Sequence, residues 1–212
     1  MADPKADAAS EEVDMDRLTA EVRELRGQVH HVIVSPHWGE ERLLIPEPEQ
    51  VEQARALIEA GASMVLGHHP HVLQGLEFHR GRPIVYSLGN FVACEVPYTN
   101  GDRVRWNRTE RTGCILTATL TTDEVAEVEQ TPTDDDGEVV RVDRSDFGRR
   151  RLAKVNRAIR RAVTARRYRR QRLWVKTIRP ILLHLRWSEL RRVGPKKVRK
   201  AFALLCRTHG AG

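Results

Sequence analysis

Residues 63–75 read SMVLGHHPHVLQG. The apolar run Met64-Val65-Leu66 stops at Gly67 and is followed at once by His68, His69 and His71. A short apolar run bounded by turn residues reads as a buried strand, so its exit delivers imidazoles to one edge of a sheet. Upstream, HHVIVSPHWG repeats the arrangement. Val32 to Val34 read as a strand, which leaves at Ser35-Pro36-His37. Between the two strands, PEPEQVEQARALIEAG reads as a helix. Pro48 suits its first turn, Val51, Ala54, Leu57 and Ile58 form one apolar face, and Gly61 closes it. Strand, helix and strand at this spacing make a βαβ unit with parallel strands and a right-handed crossover. The fold class is therefore α/β.

The pattern changes on either side. Leu18, Val22 and Leu25 recur at helical spacing in MDRLTAEVRELRGQ, with Gly27 as a stop. Downstream, residues 76–79 and 83–87 flank Arg80-Gly81-Arg82 and predict a hairpin. EVPYTNGDRVRWNRTERTG is polar and loop-like. CILTATLTTDEVAEVEQTP supplies two alternating, antiparallel strands, and TPTDDDGEVVRVD a turn and a last short strand.

Charge divides the chain unevenly. The whole carries 36 Lys and Arg against 29 Asp and Glu, a net of +7. Residues 1–148 hold 14 basic and 28 acidic side chains, whereas residues 149–212 hold 22 basic ones and a single acid, Glu189. Such asymmetry predicts two segments with different tasks. The expected organisation is a leader at residues 1–12, a folded domain at 13–148 and a basic helical tail at 149–212. The leader is polar and reads as disordered. It lacks the apolar core of a signal peptide, and no window approaches a membrane span. The expected location is the cytoplasm or the periphery of a membrane. Cys94, Cys114 and Cys206 are scattered and odd in number, which implies no disulfide framework.

Six of the nine histidines lie between positions 30 and 71. His37 leaves the first strand of the βαβ unit, and His69 and His71 leave the second. Parallel strands bring their carboxyl ends to one edge, where α/β proteins build their sites. Residues more than thirty apart in sequence would meet there, and imidazoles at such an edge suit Zn, Mn, Fe or Ni. Histidines at strand ends are also commonly hydrogen-bonded loop residues, and His30, His31, His79, His184 and His209 take that reading. In His69-Pro70-His71 alternate residues of an extended loop would point apart, so two rings at one site need a bend. Trp38 and Tyr86 could line a cleft, but core packing is the more common use of such residues.

VIVSPHWGEE, MVLGHHPHVLQGLEFHRGRPIVYSLGNF and RTGCILTATL resemble the closing portion of the CapA family. These are bacterial capsule and poly-γ-glutamate synthesis proteins related to calcineurin-like metallophosphoesterases. The resemblance spans roughly residues 28–142. It rests on His37-Trp38-Gly39-Glu40-Glu41, on His69-Pro70-His71, and on the Ser-Leu-Gly-Asn-Phe run from Ser87 to Phe91. It implies that His37, His69 and His71 are metal-site positions, with Glu41, His68 and Asn90 in support. It also implies a partial α/β/β/α sandwich and a role in making capsule or another cell-envelope polymer. The family's earlier aspartate, asparagine and histidine motifs are not found before His37, so the domain reads as truncated. Two-metal phosphoryl chemistry needs a bridging acid and a metal-generated hydroxide. Without those acids the expectation is a weak mononuclear site, with little or no catalysis and no assignable catalytic residue.

The tail supports an alternative. Leu152, Val155, Ile159 and Val163 lie on one helical face from Arg149 onward, and arginines fill the rest. Trp174, Ile178, Ile181, Leu182, Leu185 and Trp187 continue an apolar stripe, interrupted by Pro180 and Gly194-Pro195. One reading makes Arg149 to Arg207 a non-catalytic binder of an anionic polymer or an anionic membrane surface. Nucleic acid is less favoured, for no recognition motif is present. The other reading packs the stripe on the protein itself, as an intramolecular clamp.

Overall fold

The computed structural model describes residues 14–93 and 106–180. The leader at residues 1–12, part of the polar loop and the tail beyond Pro180 lie outside the described residues. The chain divides into two compact units, residues 1–171 and 172–212.

The first unit is built on the βαβ core. Strand β1 (Ile33–Val34) and strand β2 (Met64–Leu66) pair in parallel, Ile33 opposite Met64 and Val34 opposite Val65. Helix α2 (Pro48–Ala60) crosses between them, with Pro48 in its first turn. Val51, Ala54, Leu57 and Ile58 are all buried. Glu47 and Gln50 cap the helix reciprocally. Gly61 closes it at φ 121°, a conformation that side-chain-bearing residues avoid. Helix α1 (Met15–Arg26) is capped by the Asp14 side chain and packs Val22 into the same core, while Leu25 is left exposed.

Strands β3 (Leu76–His79) and β4 (Arg82–Val85) form the expected hairpin. Positive φ at Arg80 and Gly81 turns it. β4 also pairs in parallel with β2, so the four-stranded sheet runs β1-β2-β4-β3. Strands β5 (Thr112–Leu120), β6 (Val125–Asp135) and β7 (Val140–Val142) make a second, antiparallel sheet. The α/β class and the order of parallel unit, hairpin and antiparallel strands follow the sequence reading.

Three expectations need correction. Residues 107–111 are not loop: Asn107 caps a short helix, α3 (Arg108–Arg111), by accepting from the backbone N–H of Thr109 and Glu110. β6 runs on to Asp135 where a turn was expected from residue 131. Pro132 has no N–H to offer but keeps its carbonyl, which accepts from the Asp143 N–H at 2.8 Å.

The third correction concerns the domain boundary at residue 148. Helix α4 (Asp146–Arg160) begins before it and is part of the folded unit. Leu152 and Val155 join Leu73 and Cys114 in one apolar cluster, and Ile159 enters the α2 core. Asn156 accepts from the Leu76 backbone N–H at 2.9 Å, which satisfies a donor on the edge strand β3. The apolar face is thus an intramolecular clamp, the second of the two readings of the tail, as far as Val163, which packs partly buried on the same core. Helix α5 (Ala165–Leu173) follows, then a π-helical stretch, Trp174–Ile178. Among the described residues, no helix is long and apolar enough to cross a membrane.

Candidate functional site

The exits of β1 and β2 meet as the parallel pairing requires. His37 and His68 form an isolated parallel bridge just beyond the two strands. Trp38 N–H donates to the His68 carbonyl at 3.2 Å, and His68 N–H to the Pro36 carbonyl at 2.9 Å. The two loops are therefore laced together by backbone.

Onto this lacing the rings converge. His37 Nε2 lies 2.9 Å from His69 Nδ1, a single proton bridging two imidazoles. Their ring centres are 4.6 Å apart, and those of His69 and His71 are 5.9 Å apart. The bend needed by His69-Pro70-His71 is present, with His69 at φ 96° and His71 at φ 56°. Two non-glycine residues in this region of the backbone cost about 1–3 kcal/mol each. The surrounding contacts must over-determine them. One is the Pro70 carbonyl, which accepts from the Arg42 N–H at 2.7 Å.

His71 is held by a chain of definite polarity. Asn90 Nδ2 donates to the Glu110 carbonyl at 3.0 Å, so its Oδ1 is the acceptor facing His71. His71 Nδ1 lies 2.8 Å from that oxygen and must carry the proton. Its Nε2 is thereby left with the lone pair, the arrangement in which histidines ligate metals. Glu110 is itself nearly fully buried, with a carboxylate held by Arg42 at 3.0 Å and by the Asn107 backbone N–H at 2.8 Å. The Trp106 ring packs against His71 at 5.0 Å.

The remaining sequence candidates fall out as follows. Burial lowers the pKa of the His68 ring, and the neighbouring charge of His37 adds to the effect. Glu41 is exposed and makes none of these contacts. Glu40 instead accepts from the Tyr168 hydroxyl at 2.9 Å, and Glu47 meets the same hydroxyl. Burial raises the phenol's pKa, helped by both carboxylates. Tyr86 is a core residue, fully buried, with its hydroxyl donating to Glu77 at 2.8 Å. Trp38 stacks on it and donates to its carbonyl at 3.1 Å. Trp38 and His37 also line a cleft of about 460 Å³ with Leu18, Pro36, Gln53 and Leu57. The histidines set aside behave as structural groups where they are bonded: His31 bonds Ser63 and the Thr121 carbonyl, and His79 bonds Glu59.

The donor chemistry fits a divalent cation in part. Two nitrogens bound at about 2.0–2.1 Å to one tetrahedral ion would stand about 3.3 Å apart, so His37 Nε2 and His69 Nδ1, hydrogen-bonded at 2.9 Å, would open by a few tenths of an ångström to share it. Among the described residues, however, no three His, Cys, Asp or Glu side chains already surround one point. The edge therefore presents a ligand pair with a third imidazole alongside. Sequence reading missed Glu110, Asn107 and Trp106, all in the polar stretch taken for loop. The spacing Asn107-x-x-Glu110 was the available signal, for it is a capping-box pattern.

Comparison with known proteins adds a family match. Residues 1–95 match the family model described as bacterial capsule synthesis protein PGA_cap. The chain is 48% identical over 67 residues to the capsule biosynthesis protein CapA of Bacillus anthracis, a stretch covering 32% of this chain and 16% of the relative. It is 45% identical over 71 residues to the PGA biosynthesis protein CapA of Bacillus subtilis, covering 34% and 19%. It is 43% identical over 60 residues to a probable polyglutamine synthesis accessory protein of Mycobacterium tuberculosis, covering 28% and 16%. The chain thus spans less than a fifth of the length of these relatives.

Proposed function

We propose, from the match of residues 1–95 to the bacterial capsule synthesis family model, that this chain acts in the synthesis of capsule or poly-γ-glutamate, with the His37-His69-His71 edge as its metal-binding site. The observation that carries the reading is the convergence of the three rings from two loops 32 residues apart, with Asn90 fixing the tautomer of His71. His37 Nε2, His69 Nδ1 and His71 Nε2 are the nitrogens that would hold a Mn, Zn or Fe ion. When bound, such an ion is a Lewis acid for phosphoryl or carboxylate oxygens. This chain's part is to orient the imidazoles. Binding, not turnover, is assigned to them.

Calorimetric titration with Zn(II) or Mn(II) tests the site. One weakly bound ion per chain is expected, and His69→Ala should abolish it. Asn90→Ala removes the acceptor that holds the His71 ring, and should weaken binding by about tenfold, the lower end for groups that orient metal ligands. An unchanged isotherm in His69→Ala would sink the assignment.

A second reading, binding of an anionic surface or polymer by the basic segment, keeps support from α4 in a narrower form. The helix has already buried Leu152, Val155 and Ile159, so its exposed face offers cations without an apolar stripe to insert. On this part of the tail, contact with an anion is electrostatic only.

A further inference from the structure

Helix α4 turns two opposite faces to its surroundings. Gly148, Leu152, Val155 and Ile159 are buried at spacings of four, three and four. Arg150, Lys154, Arg157 and Arg161 repeat that spacing two residues further on, and all four are exposed. Two residues advance a helix by about 200°, so the cations stand almost diametrically opposite the core face. They are spread along about 16 Å of helix axis. Like charges at these spacings repel one another. Among the described residues, Lys154, Arg157 and Arg161 have no carboxylate partner.

The stripe lines a groove. The chain turns back after α4, and the Arg167 guanidinium donates to the carbonyls of Ala158, Arg161 and Ala162, closing the helix end. Arg150, Lys154, Arg157, Arg161 and Arg167, with two alanines between them, line this shallow, open groove of about 480 Å³. Arg167 spends its donors on carbonyls, which do not neutralise it. The groove therefore carries five positive charges and no acid.

We infer that this groove binds a linear polycarboxylate, the class of polymer that the proposed function implies and on which this inference rests. Guanidinium groups present paired N–H donors that match carboxylates. A row of them along a helix suits an anion that repeats along a chain. A bilayer surface is a poorer occupant, because the groove is concave and the apolar face is already in the core. Nucleic acid is poorer too, because alanines between the cations provide no aromatic platform on which bases could stack.

The test uses the full chain and follows fluorescence anisotropy with labelled poly-γ-glutamate across a salt series. Competing probes are a DNA oligonucleotide and phosphatidylserine vesicles. The triple variant Lys154→Glu, Arg157→Glu, Arg161→Glu should bind about tenfold or more weakly and show a shallower salt dependence. The variant Arg166→Glu, Arg169→Glu, Arg170→Glu changes the net charge equally on exposed positions outside the groove, and should lose less than about threefold. Thermal melts of both confirm that they fold. Equal losses in the two variants would overturn the inference, since bulk charge alone would then explain binding. Tighter binding to DNA or to the vesicles than to the polymer would overturn it as well. A failed groove with metal still bound at the histidines removes this inference and leaves the metal-site reading standing. Polymer binding without metal does the reverse.

Discussion

Gly67→Ala is expected to cost about 3 kcal/mol of stability, at the upper end of ordinary overpacking. It should lower the melting temperature by roughly 10 °C in a domain of this size. The reason lies in what surrounds the missing side chain. A Cβ at Gly67 would stand 2.1 Å from the Tyr86 carbonyl oxygen and 2.5 Å from Trp38 Nε1. The first neighbour is backbone and cannot rotate away. Gly67 N–H donates to the Val85 carbonyl at 2.7 Å, and the Gly67 carbonyl accepts from Leu88 N–H at 3.2 Å. A methyl group there must pry β2 from β4 where the sheet hands over to the histidine loops. The Trp38–Tyr86 hydrogen bond would break in the same movement. Thermal unfolding followed by circular dichroism reads the first effect, and loss of metal binding the second. A variant as stable as the parent would show that the strand ends are not packed as described.

The double variant Leu152→Ala, Ile159→Ala should lose at least about 4 kcal/mol, since each truncation of a buried aliphatic side chain costs about 2–5 kcal/mol. Its more specific signature is chemical. Cys114 packs against Leu152 and Val155, and burial pushes its thiol up to about 12. The thiolate is the reactive form. At pH 8 the parent thiol should therefore react very slowly with an aromatic disulfide reagent. Freeing α4 lets the pKa fall toward the ordinary value of about 8.5. The rate should then rise by more than about a hundredfold, read in a chain with Cys94→Ser and Cys206→Ser. An unchanged rate would mean that α4 does not cover Cys114.

The legible and illegible parts of this protein separate on physical grounds. The βαβ unit was legible because periodicity and punctuation agreed: the apolar face of α2, Pro48 at its start, Gly61 at its end, and the apolar run of β2. That His37 reaches the same sheet edge as His69 and His71 followed from parallel pairing together with the motif match. The positive φ angles that aim His69 and His71 were not legible, because loop conformation here is set by tertiary contacts such as Arg42 to Pro70. Glu110 and Asn107 hid in a stretch with no apolar periodicity, where only the cap spacing spoke. For α4 the sequence showed which face was apolar but not what would cover it. The covering groups come from Leu73 and Cys114 for two of its residues, and from the α2 core for Ile159. The leader and the tail beyond Pro180 lie outside the described residues, so their reading rests on sequence.

The central claim is that His37, His69 and His71 share one divalent cation at the carboxyl edge of the parallel strands. Diffraction from crystals grown with Zn(II), with data at the zinc absorption edge, tests it most directly. The account predicts one anomalous peak at about 2.0–2.1 Å from His37 Nε2 and His69 Nδ1, on the side of the His71 ring. A map with no peak at that edge, or with zinc held only by other side chains, would contradict it.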